Sequence, residues 1–506
     1  MEAIIAEGDV VGSTITSFLL EKTRVIGQPA NERSYHVFYQ LIHGFQDATF
    51  SSSGMPSTGD ATVKFEDYLL KYAPSTAASW ANFPYPYLTH GLREIPNIND
   101  GADLQHLLSA LGLFMDGKTV RSIMQLLTAI LYMGRLKIVD DAEGNGIVVL
   151  DEARESVASL LGVDSDALDF ALTKKQVQGG GRASIAVKRL DAAASRVVLA
   201  TMSKAVYSGL FLTLIRTMNK VMTPSKHSRD LRIGTLDIYG FEILTTNSFE
   251  QFLINFVNEK LQSVFIDRIL RAQQEEYAEE ALDWVGVEYE NNAPTCSLLE
   301  KKRGGILGLL DEQCTFKNAS PSNFVGFLRT QCSSHASFVT PKPLDPPLHF
   351  KVSHYAGIVA YDASQFIEKN RDELNEELQT LLSASSVPFF TDILLPDDST
   401  GVRSVAGKKD RVADAEAKSD TAEAVAVRTR AGGGAGGKKR AATVGQQFKE
   451  QVNLLMETLQ ETDPHFIRCL KPNETKHPDI WDEARMEEQV IFNGIPENIR
   501  IAQSGL

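Results

Sequence analysis

Residues 231–265 read LRIGTLDIYGFEILTTNSFEQFLINFVNEKLQSVF, and two patterns meet there. LRIGTLDIYG (231–240) has the apolar content of a buried strand that ends in Asp237 and Gly240. Shortly after it, Ser248 and Gln251 have the spacing of a capping box. Phe249, Phe252, Leu253, Phe256, Val257, Leu261, Val264 and Phe265 then recur at helical spacing, and the pattern continues toward residue 280. A helix of roughly 30 residues would be about 45 Å long, enough to link distant parts of a molecule. A strand, a short polar turn and a long helix predict an α/β chain.

Upstream, Ile4, Ile5, Val10, Val11 and Ile15 are strand-like, and Gly8-Asp9 between them reads as a hairpin turn. Residues 45–62 are rich in Ser, Gly and Thr and read as a surface loop. Residues 63–230 are mostly amphipathic helix, as in Leu104, Leu107, Leu108 and Leu111. Within them 172–190 (LTKKQVQGGGRASIAVKRL) holds three glycines between alternating stretches, which predicts a projecting hairpin or loop. Downstream, residues 401–442 have no aromatic, Leu, Ile or Met, and Ala and Gly fill 18 of 42 positions. Ten basic and five acidic residues give this stretch +5, so it reads as a flexible basic loop. Residues 443–506 return to a helix, a strand at HFIRCL (465–470) and two short helices.

Composition narrows the classes. The chain has 506 residues, 43% of them hydrophobic, so it can build more than one core. The 51 basic and 65 acidic residues leave a net charge of −14, which argues against a nucleic-acid partner. Cys296, Cys314, Cys332 and Cys469 are too scattered for a disulfide framework or a Cys-x-x-Cys zinc site, and read as free thiols of a reducing compartment. The first residues lack the basic and apolar regions of a signal peptide, and no apolar run of about 18 residues predicts a transmembrane segment.

Asp237-Ile-Tyr-Gly240-Phe-Glu242 is the sharpest local signal. An aspartate at a strand end can hold a Mg²⁺-bound water, and a following glycine can present its N–H to a terminal phosphate with no side chain in the way. A strand ending in a capped turn accounts for the same residues. A phosphate cradle is a second requirement, and the nearest match is Gly432–Lys439 (GGGAGGKK). It ends in Lys where a hydroxyl is needed, and neither a strand before it nor an apolar helix directly after it is evident, so it reads as low-complexity loop.

Several blocks now combine in one order. LLEKTRVIGQPANERSYHVFYQLIHG (19–44), LDIYGFE (236–242), NSFEQFLINFVNEKLQ (247–262), GILGLLDEQC (305–314), HYAG (354–357), EKNRDEL (368–374), HFIRCLKPNE (465–474) and GIPENIRIAQSGL (494–506) resemble blocks of the myosin motor domain. The resemblance runs the length of the chain. It implies a P-loop NTPase fold, mostly helical around a mixed β-sheet that this chain fills incompletely. Its parts would be 1–44, strands and helix after switch I; 45–230, an upper 50 kDa-like subdomain with a cardiomyopathy-type loop at 172–190; and 231–285, switch II and the relay helix. Then come 286–400, a lower 50 kDa-like actin-binding subdomain; 401–442, loop 2; and 443–506, a strand and helices leading toward the converter. GGGRAS and NNAPTCSLLEKKRGGILGLLDEQC look most like class I.

The resemblance also implies roles. Asp237, Gly240 and Glu242 match switch II, with Asp237 reaching Mg²⁺ through water and Gly240 facing the γ-phosphate of ATP. Lys317, Asn318, Ser320 and Pro321 fall at the tip of the helix-loop-helix that docks on actin filaments, and Arg428, Arg430, Lys438, Lys439 and Arg440 in loop 2. A basic loop there would raise encounter rate and lose its effect in salt. Ser184 falls at the family's regulatory position in the 172–190 loop, where a phosphate would add about −1.5 to −2 charge; an ordinary surface serine is the other reading.

The family's phosphate loop, switch I, converter and lever arm find no match, so light chains or calmodulin would bind only outside this chain. Two readings follow. One is part of an ATP-driven actin motor of the cytoplasmic actin cytoskeleton, with ATP and Mg²⁺ in the complete motor. The other is a non-catalytic actin-binding fragment or an incomplete gene model. On either, this chain alone is expected neither to hold nucleotide tightly nor to hydrolyse ATP.

Overall fold

A computed structural model of the protein describes residues 1–46, 85–178, 185–223, 231–281, 286, 291–390 and 442–504, except 7–8, 19, 31, 317, 372–373, 388–389, 474, 476 and 494. The chain divides into two compact units, Met1–Ile238 with Glu373–Ser399, and Tyr239–Asp372 with Thr400–Leu506. The stretch 401–441, with Arg428, Arg430, Lys438, Lys439 and Arg440, lies outside the described residues, as do Ser184, Lys317 and most of the 45–62 loop.

In the first unit, β1 (Glu2–Ala6) pairs antiparallel with β2 (Asp9–Thr14) from Glu2↔Thr14 to Ala6↔Asp9. The expected pairing of these two strands is present, with Asp9 inside β2 rather than in the turn; Gly8 lies outside the described residues. The helices include α1 (His36–Gln46), α2 (Asp100–Leu111), α3 (Gly117–Met133), α4 (Glu152–Leu161), α5 (Ser165–Thr173) and α6 (Ala192–Met222), with a short one at Glu376–Ser383. Two small hairpins lie among them, β3 (Ile138–Asp140) with β4 (Gly146–Val148), and β5 (Lys174–Gln178) with β6 (Ile185–Arg189). The second is the hairpin expected over 172–190, and its root is held by the Gln176 N–H donating to Glu377 Oε1 at 2.5 Å.

Leu104, Leu108 and Leu111 of α2 are buried with Phe38, Leu41, Met124, Leu127 and Ile130 in one core. Asn99 starts α2 by accepting the Ala102 N–H. A fully buried ion pair lies beside that cap: Arg33 donates to both carboxylate oxygens of Asp100, at 3.0 and 2.8 Å. Of the described residues, α6 is long and apolar enough to cross a membrane by length and composition, contrary to the sequence expectation. Its buried residues include Ser195, Ser203, Ser208 and Thr213 as well as Leu199, Met202 and Val206, the pattern of a core helix.

The last strand of this unit departs from expectation. β7 covers only Leu231–Gly234, paired antiparallel with β1, in the sheet order β2-β1-β7. It is exposed along its length, with Leu231 at 74% and Ile233 at 62%. Thr235 takes the last bonds of this ladder, to Met1, and among the described residues 236–240 pair with no strand. The apolar side chains read as a buried strand are covered on neither side by the described residues.

In the second unit, α7 (Phe249–Phe265) runs through a π-helical turn (Ile266–Arg271) into α8 (Ala272–Glu279). Ser248 and Gln251 form the capping box, so the helix starts where the sequence places it and runs for about 30 residues. The π turn was not legible; such turns concentrate at functional positions in helices. Next come α9 (Ala293–Glu300), α10 (Ile306–Thr315) and α11 (Pro321–Cys332), then the antiparallel sheet β10-β9-β8, built from β8 (Phe338–Val339), β9 (His349–His354) and β10 (Gly357–Asp362). α12 (Phe366–Arg371), α13 (Val444–Glu461), α14 (Glu483–Phe492) and α15 (Ile495–Ser504) complete it.

One face of α7 is aromatic because its partners are. Phe252 sits 5.3 Å from Tyr361, 6.0 Å from Phe350 and 5.7 Å from Phe366, all fully buried, in edge-on or tilted pairs worth about 0.5–1.5 kcal/mol each beyond area burial. HFIRCL is not a strand. It has no ladder partner among the described residues and is held by side chains instead: Phe466 packs edge-on to Phe265 at 5.2 Å, and the Arg468 guanidinium lies 4.4 Å from the same ring.

Candidate functional site

Asp237 is exposed, outside any helix or strand, near the end of the first unit. In the second unit, Gly240 is exposed, its φ is not positive, and an added Cβ would meet no protein atom within 4 Å. Neither backbone strain nor crowding by this chain calls for glycine there. Its peptide is simply open to whatever approaches.

The residues around Gly240 are carried by side chains of α7. Asn258 donates through Nδ2 to the Tyr239 carbonyl at 2.9 Å. Asn255 grips both faces of one residue: its Oδ1 accepts the Glu242 N–H at 2.8 Å and its Nδ2 donates to the Glu242 carbonyl at 2.8 Å. Two residues on, Asn247 accepts the Leu244 N–H at 2.8 Å and donates to the Ala360 carbonyl of β10 at 3.2 Å. Phe241 stands edge-on to His354 and Tyr355, at 5.1 and 5.3 Å.

Behind Asn255 runs a buried polar chain. Asn255 Nδ2 also reaches the Tyr361 hydroxyl at 2.9 Å, Tyr361 reaches His354 Nε2 at 2.9 Å, and His354 Nδ1 reaches Glu259 Oε2 at 2.8 Å. Asn292 Nδ2 donates to Glu259 Oε1 at 2.8 Å. Asn255, Glu259 and Tyr361 are fully buried, and so are the His354 and Glu259 side chains. Burial pushes the Tyr361 hydroxyl well above the usual phenol range, so it keeps its proton. The Cys296 thiol, beside the Glu259 carbonyl, is pushed up to about 12 by burial first and by the Glu259 charge next.

Sequence reasoning singled out Asp237, Gly240 and Glu242 but not the side chains that hold the last of them. A signal was present: Asn255 and Glu259 are polar residues four apart on the otherwise apolar face of α7, where burial demands a partner. The partners, His354 and Tyr361, lie about a hundred residues on, beyond any local pattern.

The second candidate region is the α10–α11 helix pair. Ser320 caps α11 by accepting the Asn323 N–H at 3.2 Å, and Pro321 holds the first helical position. Asn318 is exposed, Ser320 and Pro321 half-exposed, and Phe316 is 50% exposed with its carbonyl accepting from Arg371 at 2.8 Å. A shallow depression between the helices is lined by Phe316, Asn318, Ser322, Asn323 and Phe327. Among the described residues no three His, Cys, Asp or Glu side chains cluster as a metal site. Asp237 offers an exposed carboxylate, a group of the kind that holds magnesium through water, and Gly240 separately offers a peptide that no side chain crowds.

A mostly helical protein with short sheets, in which one long helix grips the backbone at Tyr239 and Glu242, agrees with the P-loop NTPase class. Comparison with known proteins makes the class definite. The family model for the myosin head (motor domain) matches residues 4–506. Similar proteins include the myosin IA heavy chain of Dictyostelium discoideum, 34% identical over 98% of this chain and 48% of that protein. The non-muscle myosin-2 heavy chain of Acanthamoeba castellanii is 34% identical over 99% of this chain and 31% of its own length. The unconventional myosin-Ic of Mus musculus is 32% identical over 99% of this chain and 43% of its own. The chain belongs to the myosin motor-domain family, with class I heavy chains among its relatives, and spans less than half the length of these three.

Proposed function

We propose that this chain is part of an actin-based motor of the cytoplasmic actin cytoskeleton, in which nucleotide state at Asp237–Glu242 is read by the long helix α7–α8. The observation that carries the reading is the grip of α7 on the switch: Asn258 on the Tyr239 carbonyl and Asn255 on both polar groups of the Glu242 backbone. A displacement of this backbone is delivered directly to a rigid element.

Bound MgATP supplies the scissile phosphoanhydride and the metal counter-charge. Asp237 would hold the metal's water, and the Gly240 N–H would donate to the terminal phosphate. Glu242, held at its backbone, would keep its carboxylate in register with that peptide. α7, the π turn and α8 together carry the shift along about 45 Å of helix. The α10–α11 tip, with Asn318, Ser320, Pro321 and Lys317, would meet actin, and Arg428, Arg430, Lys438, Lys439 and Arg440 would add salt-sensitive attraction. Phosphate on Ser184 would add negative charge to the loop joining β5 and β6. The open edge of β7 and the unladdered HFIRCL segment are each suited to a further strand, which supports a sheet completed by another segment of the motor.

The native protein, isolated intact and sized by mass, tests this. Actin-stimulated phosphate release is expected, with loss of at least about a hundredfold for Asp237→Ala, as for other removed transition-state contacts. A native product of this chain alone that neither sediments with actin filaments nor releases phosphate would refute it.

A further inference from the structure

The buried chain behind Glu242 has a fixed direction, and one peptide fixes it. Asn255 Oδ1 accepts the Glu242 N–H while Nδ2 donates to the Glu242 carbonyl, so this amide has a single orientation. The same Nδ2 donates to the Tyr361 hydroxyl, so the hydroxyl proton points elsewhere. Its other neighbour is His354 Nε2 at 2.9 Å, which therefore accepts. An imidazole accepting at Nε2 carries its proton on Nδ1, and Nδ1 faces Glu259 Oε2 at 2.8 Å. Glu259 also receives Asn292 Nδ2 on Oε1 and the Tyr355 N–H, at 3.4 Å, on Oε2.

We propose that His354 is a positioning residue: as a neutral Nδ1–H imidazole it orients the Tyr361 hydroxyl, and through it locks the Asn255 clamp on the Glu242 peptide. Its importance for a motor rests on the switch reading above; its geometry does not. A proton on Nε2 would leave the Tyr361 oxygen facing two donors, with its own buried proton turned away from His354 and without that acceptor. Tyr361 would then hold its position less firmly, and with it the Asn255 amide that serves Glu242. The groups facing His354 are Glu259 from α7, Tyr361 from β10, the adjoining Tyr355 and the ring of Phe241. β9 is also tied to α11, where Arg329 donates to the Pro347 and His349 carbonyls at 3.2 and 3.4 Å. One hairpin thus touches both the helix pair assigned to actin and the clamp on the switch.

Amide hydrogen exchange of the full chain, without nucleotide, tests the clamp. Tyr361→Phe removes one oxygen and keeps the packing against Phe252 and Phe350. Exchange at the Glu242 N–H is expected to rise about tenfold, the effect of one lost hydrogen bond. The Leu244 N–H, bonded to Asn247 and outside the chain, is expected to stay unchanged. His354→Gln, which keeps one donor and one acceptor, is expected to preserve Glu242 protection, and His354→Leu to lose it. Equal rises at Glu242 and Leu244, or no rise at Glu242, would overturn the proposal. Nitrogen-15 histidine spectra of the unmutated chain give an independent reading: an imidazolium or an Nε2–H tautomer at His354 near neutral pH would also overturn it. Neither experiment depends on ATP hydrolysis, so a failed clamp leaves the motor reading standing, and a failed motor reading leaves the clamp measurable.

Discussion

Replacing Lys369 by Met should loosen the start of the long helix. Lys369, on α12, donates to Glu250 Oε2 at 2.7 Å and to Ser248 Oγ at 3.0 Å, joining both to the first turn of α7. The two charged side chains are 16% and 14% exposed, so solvent screens them little. A hydrogen bond to a charged group contributes about 1.5–3 kcal/mol. Methionine keeps the aliphatic stem, and the macrodipole attraction of Glu250 at the helix N-terminus is the same with or without its partner. The net cost is then about 1.5–3 kcal/mol, or an increase of roughly ten- to a hundredfold in local opening at about 1.4 kcal/mol per decade. Hydrogen exchange of a peptide covering 249–257 reads this directly, with a peptide from α6 as control. Glu250→Gln should cost a similar amount, and the double variant should cost less than the sum by about 1 kcal/mol. A change below about threefold in Lys369→Met, or strict additivity, would refute the clip, because either means the ion pair contributes little beyond an exposed one.

Two further outcomes follow from burial. Asp100→Asn leaves the Arg33 guanidinium buried without its carboxylate and should destabilise the first unit by about 3–5 kcal/mol in urea titrations that monitor α1 and α2 by exchange; Asp267→Asn, from a half-exposed pair with Arg271, should change its unit by under about 0.5 kcal/mol. A loss under about 1 kcal/mol for Asp100→Asn would mean that Arg33 finds another anion or water. With Cys332 pushed up to about 11 and Cys296 to about 12, mainly by burial, their thiolate fractions near pH 8 are about 10⁻³ and 10⁻⁴. A thiol reagent should therefore modify exposed Cys469 in the native protein and all four cysteines only after unfolding, and comparable native rates at Cys296 and Cys469 would contradict the packing around α9.

What could be read along the chain was whatever a few neighbouring residues decide. The start of α7 is set by Ser248 and Gln251 bonding across three positions, and its length by an uninterrupted helical repeat of Phe, Leu and Val. The pairing of β1 with β2 and of β5 with β6 is equally local, since alternation in two adjacent stretches of chain suffices to register them. The order of family blocks made the fold legible as well, because that order survives even where single residues differ.

Tertiary structure decided everything that needs a distant partner. Residues 231–240 have the composition of a strand throughout, yet only Leu231–Gly234 is one, because a ladder extends only as far as β1 lies beside it. HFIRCL reads as a strand and is not one, with Phe466 and Arg468 packing on Phe265 and the backbone unpaired by any described strand. Asp237, Gly240 and Glu242 could be singled out from the chain, but the grip of Asn255 on the Glu242 backbone could not. Asn255 meets Tyr361, and Glu259 meets His354, across 106 and 95 residues. Composition records that a polar residue is there. Only the packed interior, where an unpaired polar group is costly, determines which group it must face.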